Sequence, residues 1–408
     1  MKRRFRLVIL LAVLALLAGL PVSSAAQAPE PNTPPTPPQT PLTPPAGALH
    51  DLAAAEADSL QSLETLSLPP LKAVLVVGPI DGDNGAWTRS EVANMELAAN
   101  LLTRLGVSVH KFYPPNSNWN QIKAAADGAE FFLYRGHGIY WSPMPTPVVG
   151  GLALSDGIVS SERIRSELRL DPNAIVMMYA CFSAGSSSND SSAISSSEAV
   201  RRVAQYSDPF FDAGASAYFA NWFGNAFEQY LTYLFQGQTL GQAYESYFDF
   251  NAASVERYNH PDHPGLAMWL DKDDWDGIKY NNAFAGDPNR TLRDLFGPRM
   301  TVTPAQITHL VGPGWVTDIS IQVGSTGPAL TDWTASVPDE TPWLALDLAN
   351  QADGSLDVLV TAPTEPGSYQ GTIEITSPQA VNGSETVSIN LLVANGDLQQ
   401  VFLPLVVR

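Results

Sequence analysis

The pattern of apolar and polar residues changes twice along the chain, and its middle part is the longest. There, short apolar runs typical of buried strands alternate with stretches whose apolar residues recur at helical spacing. The first pair is a strand expected at Lys72–Ile80 and a helix expected at Arg89–Leu105, which Gly106 ends. Such alternation predicts a mostly parallel sheet with helices on both faces. We therefore expect an α/β domain over residues 71–297.

After this domain the pattern becomes one of short alternating strands separated by turns roughly every ten residues, as in β-sandwich domains. The strands are expected at Met300–Val302, Asp318–Val323, Asp332–Ser336, Leu344–Asp347, Leu356–Thr361, Gly371–Thr376 and Thr386–Val393. We expect an all-β, antiparallel sandwich over residues 298–395, followed by a tail over 396–408. Trp333 and Trp343 are expected in its core, because tryptophans in such modules are more often core residues than binding platforms.

Three segments precede the α/β domain. The first indicates a secretory signal peptide over residues 1–28. It consists of the basic residues Lys2, Arg3, Arg4 and Arg6, followed by the apolar run Leu7–Leu20. Residues 29–47 form a Pro-rich linker that cannot bury a core. Leucines among Ala, Asp and Glu predict a helical segment over residues 48–70. The mature protein is therefore expected to be secreted, either extracellular or at the cell surface.

Charge narrows the range of partners. Without the signal peptide, 18 basic residues stand against 41 acidic ones, which gives a net charge of −23. Such a surface disfavours nucleic acid and anionic membranes as partners. No later segment approaches the ~20 apolar residues that a membrane span needs. A protein or peptide substrate is compatible with this charge, and a basic one would be attracted to it.

The chain has a single cysteine, Cys181. It follows a buried strand expected at Ala174–Ala180 and precedes a Ser- and Gly-rich stretch, so it is predicted to lie where a strand ends at a surface loop. One cysteine cannot form an internal disulfide, and an unpaired thiol in an exported protein is a candidate nucleophile. The alternative is a small buried side chain without chemistry.

A histidine has the same kind of position on an earlier strand. The apolar run at Phe131–Tyr134 leads into Gly136, His137 and Gly138. Chemistry in open parallel sheets gathers at the carboxyl ends of the strands, so His137 can face Cys181 if the two strands are neighbours. An imidazole near a thiol raises the thiolate fraction or accepts its proton, and small flanking residues let a carbonyl approach backbone N–H donors.

A strand that ends in His-Gly, followed by one that ends in Ala-Cys, resembles the caspase-like cysteine peptidases, which include caspases, legumains, gingipains, clostripains and CHAT proteases. Phe210–Trp222 and Phe227–Phe248 resemble segments that follow the nucleophile in gingipain-like and CHAT proteins, and Gly286-Asp287-Pro288 is similar to a motif near the end of such domains. One departure is Ala184, which stands before Gly185 where many relatives have glycine.

This resemblance implies a caspase-like fold and a cysteine endopeptidase that works through a thioacyl-enzyme. Cys181 would attack the scissile carbonyl, and His137 would protonate the leaving amine and later activate water. The N–H groups of Gly138 and Cys181 would hold the oxyanion. No cofactor is implied by this chemistry. Two other function classes stay open: a sortase-like transpeptidase, since some gingipain-like members act as sortases, and a non-catalytic surface or adhesion protein built on a peptidase-like scaffold.

Relatives commonly place a substrate-binding residue in the loop after the first strand. Here Asp81 and Asp83 lie in that loop, which favours cleavage after Arg or Lys. Arg89, a few residues later, argues the other way, and a solvated Asp-Gly turn is the alternative for both aspartates.

The C-terminal domain resembles the BACON-type immunoglobulin-like modules of secreted bacterial proteins, through its TVTPAQI segment and the sequences around Trp333 and Trp343. That resemblance makes a cell-surface or extracellular glycan a candidate partner, while a spacer role is the expectation we favour.

Three loops carry weaker signals. Four aspartates resemble a calcium loop only loosely, because Trp275 stands where a ligand is needed; they are Asp271, Asp273, Asp274 and Asp276. His260 and His263 are expected in a plain loop with no third metal ligand. Ser183–Ser197 is expected to be a flexible loop, with Arg201 and Arg202 as the alternative site of an activating cleavage.

Overall fold

The structure is a computed structural model that describes residues 68, 70–141, 148–272, 280–326 and 329–395. The predicted signal peptide and Pro-rich linker, nearly all of the predicted helical segment at 48–70, and the tail at 396–408 lie outside the described residues. Within the described ranges, no helix is both long enough and apolar enough to cross a membrane.

The elements of the first domain alternate strand and helix, as predicted. Its strands are β1 (Lys72–Val77), β2 (Ser108–Phe112), β3 (Ala129–Arg135), β4 (Gly151–Leu154), β5 (Gly157–Ser160), β6 (Leu170–Tyr179), β7 (Ala215–Asn221), β8 (Val255–Asn259), β9 (Ala267–Asp271) and β10 (Asn282–Gly286). Its helices are α1 (Ala86–Arg104), α2 (Trp119–Ala126), α3 (Ser161–Glu167), α4 (Ser196–Asp212), α5 (Ala226–Phe235), α6 (Leu240–Glu245) and α7 (Leu292–Phe296).

An eight-stranded sheet forms the centre of this domain, in the order β2-β1-β3-β6-β7-β10-β9-β8. The strands from β2 to β7 pair in parallel. β10 pairs antiparallel with both β7 and β9, and β9 pairs antiparallel with β8. β4 and β5 form a separate hairpin. The α/β class is therefore confirmed. The sheet is mixed, because β8–β10 add three antiparallel strands that the sequence pattern did not predict.

Helices cover both faces of the sheet. Phe131 stacks on Phe235 of α5 with ring centroids 5.9 Å apart, and its neighbour Phe132 packs against Phe210 of α4 at 5.7 Å. Successive side chains of a strand point to opposite faces, so α5 and α4 lie on opposite sides. This double coverage explains why β1 and β3 read as nearly continuous apolar runs.

The second domain is all β, as predicted. Its strands are β11 (Arg299–Thr303), β12 (Gln306–Val311), β13 (Val316–Thr326), β14 (Thr334–Ser336), β15 (Leu344–Asp347), β16 (Ser355–Thr361), β17 (Gly367–Thr376) and β18 (Ser384–Val393), and a short 3-10 turn lies at Gln351–Asp353. They form two four-stranded sheets, β11-β13-β16-β15 and β12-β18-β17-β14. β12 was not predicted, and it pairs with β18 in parallel, so the second sheet is not wholly antiparallel.

Side chains from both of these sheets share one core. Ile321 and Val358 come from the first sheet, and Ile373 and Ile389 from the second. Trp333 is 1% exposed and Trp343 is buried in the same cluster. Both tryptophans therefore contribute apolar burial to the sandwich core, as expected.

Candidate active site

The strands that carry His137 and Cys181 are neighbours. β3 and β6 pair in parallel with Arg135 opposite Tyr179, and the N–H of Gly136 donates to the carbonyl of Tyr179 at 3.0 Å. His137 and Cys181 each lie two residues beyond this last pair. Both therefore lie at the carboxyl ends of their strands, on the same side of the sheet, where parallel sheets usually bind ligands.

Gly138 brings the two segments into backbone contact. A Cβ built on Gly138 would lie 1.9 Å from the carbonyl oxygen of Cys181 and 2.8 Å from its nitrogen. A residue with a side chain does not fit there without moving the backbone of Cys181. The glycine after His137 thus allows the His loop to touch the turn that carries the thiol.

The His137 ring is oriented by the loop after β1. Its Nε2 lies 2.9 Å from the carbonyl oxygen of Ile80, and the side chain is half-buried. A carbonyl oxygen can only accept, so Nε2 donates this hydrogen bond. In the neutral ring, Nδ1 then carries the lone pair, so the tautomer of His137 is defined.

Cys181 is covered in this conformation. Its side chain is 0% exposed, and Sγ lies 3.5 Å from Oγ of Ser188. Burial raises the pKa of the Cys181 thiol, hydrogen bonds from Ser188 and Ser187 act in the opposite direction, and the negative charge of Asp190 raises it further. The thiol is therefore protonated at neutral pH, and the loop that follows β6 folds back over it. This loop reaches the surface at Ser188, as the sequence predicted, but it leaves the thiol buried.

The turn after Cys181 has a strained but well-bonded backbone. Phe182 has a φ of 72°, a left-handed conformation that costs an ordinary residue roughly 1–2 kcal/mol. The N–H of Phe182 donates to the carbonyl of Ser186 at 2.8 Å, and Gly185 donates back to Phe182 at 3.0 Å. Gly185 has a φ of 114°, so a glycine is needed there, while Ala184 is accommodated as a buried residue.

The Ser-rich segment is packed at its start, in contrast to the flexible loop expected from its composition. Ser183, Ser186 and Ser187 are buried. Both carboxylate oxygens of Asp190 accept hydrogen bonds of 2.8 Å from the guanidinium of Arg202, which lies on α4. Arg201 and Arg202, the candidate cleavage site, lie inside this helix.

The two aspartates after β1 have different surroundings. The carboxylate of Asp81 accepts from the N–H groups of Trp87 and Thr88, both at 3.0 Å, at the start of α1. These hydrogen bonds lower the pKa of Asp81 to about 2. Asp81 is therefore occupied in capping a helix. Asp83 is exposed, and it accepts a hydrogen bond of 3.0 Å from Oγ of Ser155 in the β4–β5 turn.

A buried ion pair lies below the site, and sequence reasoning missed it. Nε of Arg135 donates to the carboxylate of Glu91 at 2.6 Å, and both side chains are fully buried. The guanidinium lies 4.1 Å from the centre of the Tyr179 ring. Arg135 and Tyr179 each precede a candidate catalytic residue by two positions. A charged residue at the end of an apolar strand was the available signal, because a buried charge needs a partner.

One cluster in the described part of the chain has the composition of a metal site. Ligand atoms of Asp208, Asp212 and His263 lie within 4.8 Å of one another. Arg165 forms salt bridges with both aspartates, so a guanidinium already offsets part of their negative charge. Of the four aspartates of the loose calcium motif, Asp271 is buried and accepts from Ser254 at 2.7 Å, while the other three lie outside the described residues.

His260 lies beside this cluster. Its Nδ1 accepts from the N–H groups of Asp262 at 3.2 Å and His263 at 3.1 Å, so Nε2 donates to Oγ of Ser207 at 3.0 Å. Burial, and then the neighbouring His263, lower the pKa of His260 to about 4. His260 is a neutral structural side chain that holds its own loop.

No protein-family model matches the chain, and no curated protein matches it. Among solved structures, a protease is similar at 14% identity over 82% of this chain and 70% of its own, with a TM-score of 0.28. The BIgI domain of beta protein from S. agalactiae bound to CEACAM1 is similar at 14% identity over 24% of this chain and 99% of its own, with a TM-score of 0.18. A Bacteroides ovatus GH5 xyloglucanase shares 10% identity over 24% of this chain, with a TM-score of 0.17, and the chain spans 19% of its length. Likenesses at such TM-scores show no shared activity.

Proposed function

We propose that the protein is a secreted cysteine endopeptidase with a caspase-like α/β domain and a Cys181–His137 dyad. The observation that carries the proposal is the contact between the His loop and the Cys turn, in which the Ile80 carbonyl orients the His137 ring and Gly138 lies against the Cys181 backbone. A structural scaffold has no chemical need for either arrangement. The parallel pairing of β3 and β6 supports the same assignment.

The proposed reaction has two steps. In the first, Cys181 gives its thiol proton to His137, and the thiolate attacks the scissile carbonyl. The N–H groups of Gly138 and Cys181 stabilise the oxyanion, and protonated His137 gives the proton to the leaving amine. In the second, Nδ1 of His137 takes a proton from water, which attacks the thioester and releases the acid. The side chains of Cys181 and His137 and the two N–H groups account for both steps, so the proposed reaction includes no metal or other cofactor.

The proposed preference is for Arg or Lys before the scissile bond. Asp83 is the stronger candidate for recognising such a residue, because it is exposed on the loop that also orients His137, whereas Asp81 is occupied by its helix cap. The acidic net charge of the chain favours approach of the same substrates.

A non-catalytic scaffold is the second candidate, and the complete burial of Cys181 favours it. In that case the thiol is a small buried residue and the histidine a loop support. The two candidates differ in one measurable respect. Only a peptidase hydrolyses peptides and loses this activity when Cys181 is replaced.

The test is purified protein with fluorogenic peptides that carry Arg, Lys, Asp or Asn before the scissile bond, with and without calcium and with a thiol reductant. We expect hydrolysis of the Arg and Lys peptides by the wild type and none by Cys181→Ala. Adding an amine nucleophile separates a hydrolase from a transpeptidase, because the latter transfers the acyl group to the amine. Equal turnover in wild type and Cys181→Ala contradicts the proposal.

The extracellular location follows from the predicted signal peptide, and a glycan partner for the β domain follows from its BACON-type resemblance. Both are proposals. Expression with residues 1–28 and recovery of the processed chain outside the cell tests the first, and binding of the isolated wild-type protein to mucin glycans tests the second.

A further inference from the structure

The thiol of Cys181 is covered by the short loop that follows β6. The thiol is fully buried, and Ser188, whose Oγ lies 3.5 Å from Sγ, is itself on the surface. A peptide carbonyl has to come within bonding distance of Sγ to react. In this conformation no such approach is open, so the loop has to move before the thiol can meet any large molecule.

One guanidinium contacts the loop at both ends. Arg202 forms two hydrogen bonds of 2.8 Å with the carboxylate of Asp190, at the far end of the loop. It also donates to the carbonyl of Gly185 at 3.1 Å and lies 5.0 Å from the centre of the Phe182 ring, at the near end. Arg202 is 1% exposed, so these contacts are sheltered from solvent and are stronger than a surface ion pair.

Inside the loop, further hydrogen bonds depend on Asp190. The N–H of Ser187 donates to its carboxylate at 2.7 Å, and the N–H of Asp190 donates back to the carbonyl of Ser187 at 3.0 Å. The N–H of Asn189 donates to Oγ of Ser187 at 3.1 Å. The carboxylate and the N–H of Asp190 thus both hold Ser187, while Ser186 is held separately by the carbonyl of Tyr280 at 3.1 Å.

Opening the loop does not leave Arg202 without a counterion. Nε of Arg202 donates to the carboxylate of Glu198 at 2.7 Å, and both residues belong to α4. A buried charge that loses its partner is strongly destabilising, and Glu198 prevents this when Asp190 moves away. The arrangement thus allows two states of the loop on an unchanged helix.

We propose that Asp190 and Arg202 form a latch that holds residues 186–190 closed over Cys181, and that the thiol becomes accessible when this pair separates. The regulatory meaning of the latch, control of access by a peptide substrate, rests on the proposed peptidase function. The masking of the thiol does not, since it concerns the accessibility of one side chain.

The test uses the reaction of the thiol with 4,4′-dithiodipyridine, an uncharged disulfide reagent that the acidic protein does not repel. The chain has one cysteine, so the released thiopyridone reports on Cys181 alone. We expect native wild-type protein to react at least about 100-fold more slowly than the same protein unfolded in guanidinium chloride, because the closed state excludes the reagent. Reaction of the native protein at the unfolded rate overturns the proposal.

Asp190→Asn then removes the charge of the latch with almost no change in shape. We expect its labelling to be at least about tenfold faster than that of the wild type, which corresponds to about 1.4 kcal/mol of closing free energy. Glu198→Gln is the matched control, since it removes a carboxylate from the same guanidinium without touching the loop. Its rate should not rise above that of the wild type, because Arg202 then has no counterion when the loop opens.

Near-UV circular dichroism confirms that each variant is folded. Equal rates for Asp190→Asn and wild type, or equal acceleration by Glu198→Gln, overturn the latch. If Asp190→Asn does not fold, the wild-type comparison still decides whether the thiol is masked, and amide exchange of Phe182 and Ser187 gives the opening equilibrium independently. Masked labelling without any peptide hydrolysis leaves the latch standing and removes the proposed function, so the two can fail separately.

Discussion

The interiors of the two domains differ in what they bury. The α/β domain buries charged side chains, among them Glu91, Arg135 and Arg202, while the described interior of the β domain is built from apolar residues, with Thr341 and Ser377 as its buried polar positions. Burying a charge is costly unless it is paired, so a chain that needs only stability does better with apolar residues. The charges of the first domain lie beside the His137 and Cys181 segments, so the proposed chemistry belongs to this domain, and for the second we expect a role in cohesion.

The largest effect is expected at His137. Replacing it with alanine removes the general acid and base, so kcat/KM for the best peptide should fall by roughly 100- to 10,000-fold. His110→Ala is the control, because His110 is exposed on β2, an outermost strand of the sheet, whereas β3 and β6 are inner strands. Peptide hydrolysis under reducing conditions measures both. An equal loss in the two variants would mean that the dyad assignment is wrong.

In the β domain, Trp333→Ala should lower the free energy of unfolding by about 3–5 kcal/mol, because it empties a large site in a close-packed core. Trp315→Ala should change it by less than about 0.5 kcal/mol, since Trp315 is 61% exposed. Urea unfolding followed by fluorescence measures both variants.

The same Trp333 variant sharpens the comparison between the domains. At a temperature where it is still folded, its turnover should equal that of the wild type, because no part of the dyad touches the β domain core. A large loss of kcat in folded Trp333→Ala would contradict the division of labour between the domains.

The buried ion pair should behave differently from the apolar core. Glu91→Gln leaves Arg135 without a counterion, and we expect the α/β domain to lose about 3 kcal/mol of stability. The double variant Glu91→Gln/Arg135→Met removes both charges and should recover most of this loss. Urea unfolding of the single and double variants gives the coupling energy. A double variant as unstable as the sum of its parts would show that the pair is not the cause.

A smaller effect is expected from His260 and depends on pH. Its pKa is lowered to about 4 in the folded protein, against about 6.5 when unfolded, so the unfolded chain binds more protons between these values. The stabilising contribution is complete above pH 6.5 and is lost as the pH falls toward 4. Allowing for partial solvent screening, we expect about 2 kcal/mol over this range.

His260→Asn serves as the matched variant for this pH dependence. Its side-chain oxygen can take over the acceptor position of Nδ1, but it does not titrate. Urea unfolding at pH 7 and pH 4.5 should show a smaller loss of stability in the variant than in the wild type. Equal losses would mean that His260 is not responsible.

How far the sequence predicts the structure depends on how local the causes are. The helix α2 (Trp119–Ala126) has local causes, because Asn118 caps its start and Trp119, Ile122 and Ala126 form its buried side. The strands β8 and β12, which the sequence did not predict, have half-exposed residues and no strong apolar run. Their formation therefore depends on pairing with strands elsewhere in the chain. Periodicity alone does not detect such strands.

The candidate site shows the same division. The placement of His137 and Cys181 at strand ends was predictable, because each follows an apolar run. The pairing of these two strands was only a condition of the sequence argument, and the structure supplies it. The covering of Cys181 was not, since it depends on Arg202, which comes 21 residues later and folds back from α4. Nor was the cap formed by Asp81, because its partners at Trp87 and Thr88 follow a loop rather than a standard capping spacing.

The most direct test of the central claim is covalent trapping of Cys181. A peptidyl acyloxymethyl ketone, built on the best substrate of the four-peptide panel, is incubated with reduced wild type, Cys181→Ala and His137→Ala, and the intact mass and remaining turnover are recorded. A peptidase of the proposed kind gains one inhibitor mass on Cys181, loses turnover in proportion to labelling, shows no adduct in Cys181→Ala and slow labelling in His137→Ala. Full turnover by wild type whose Cys181 is completely modified, or undiminished hydrolysis by Cys181→Ala, would contradict the claim that this thiol is the nucleophile.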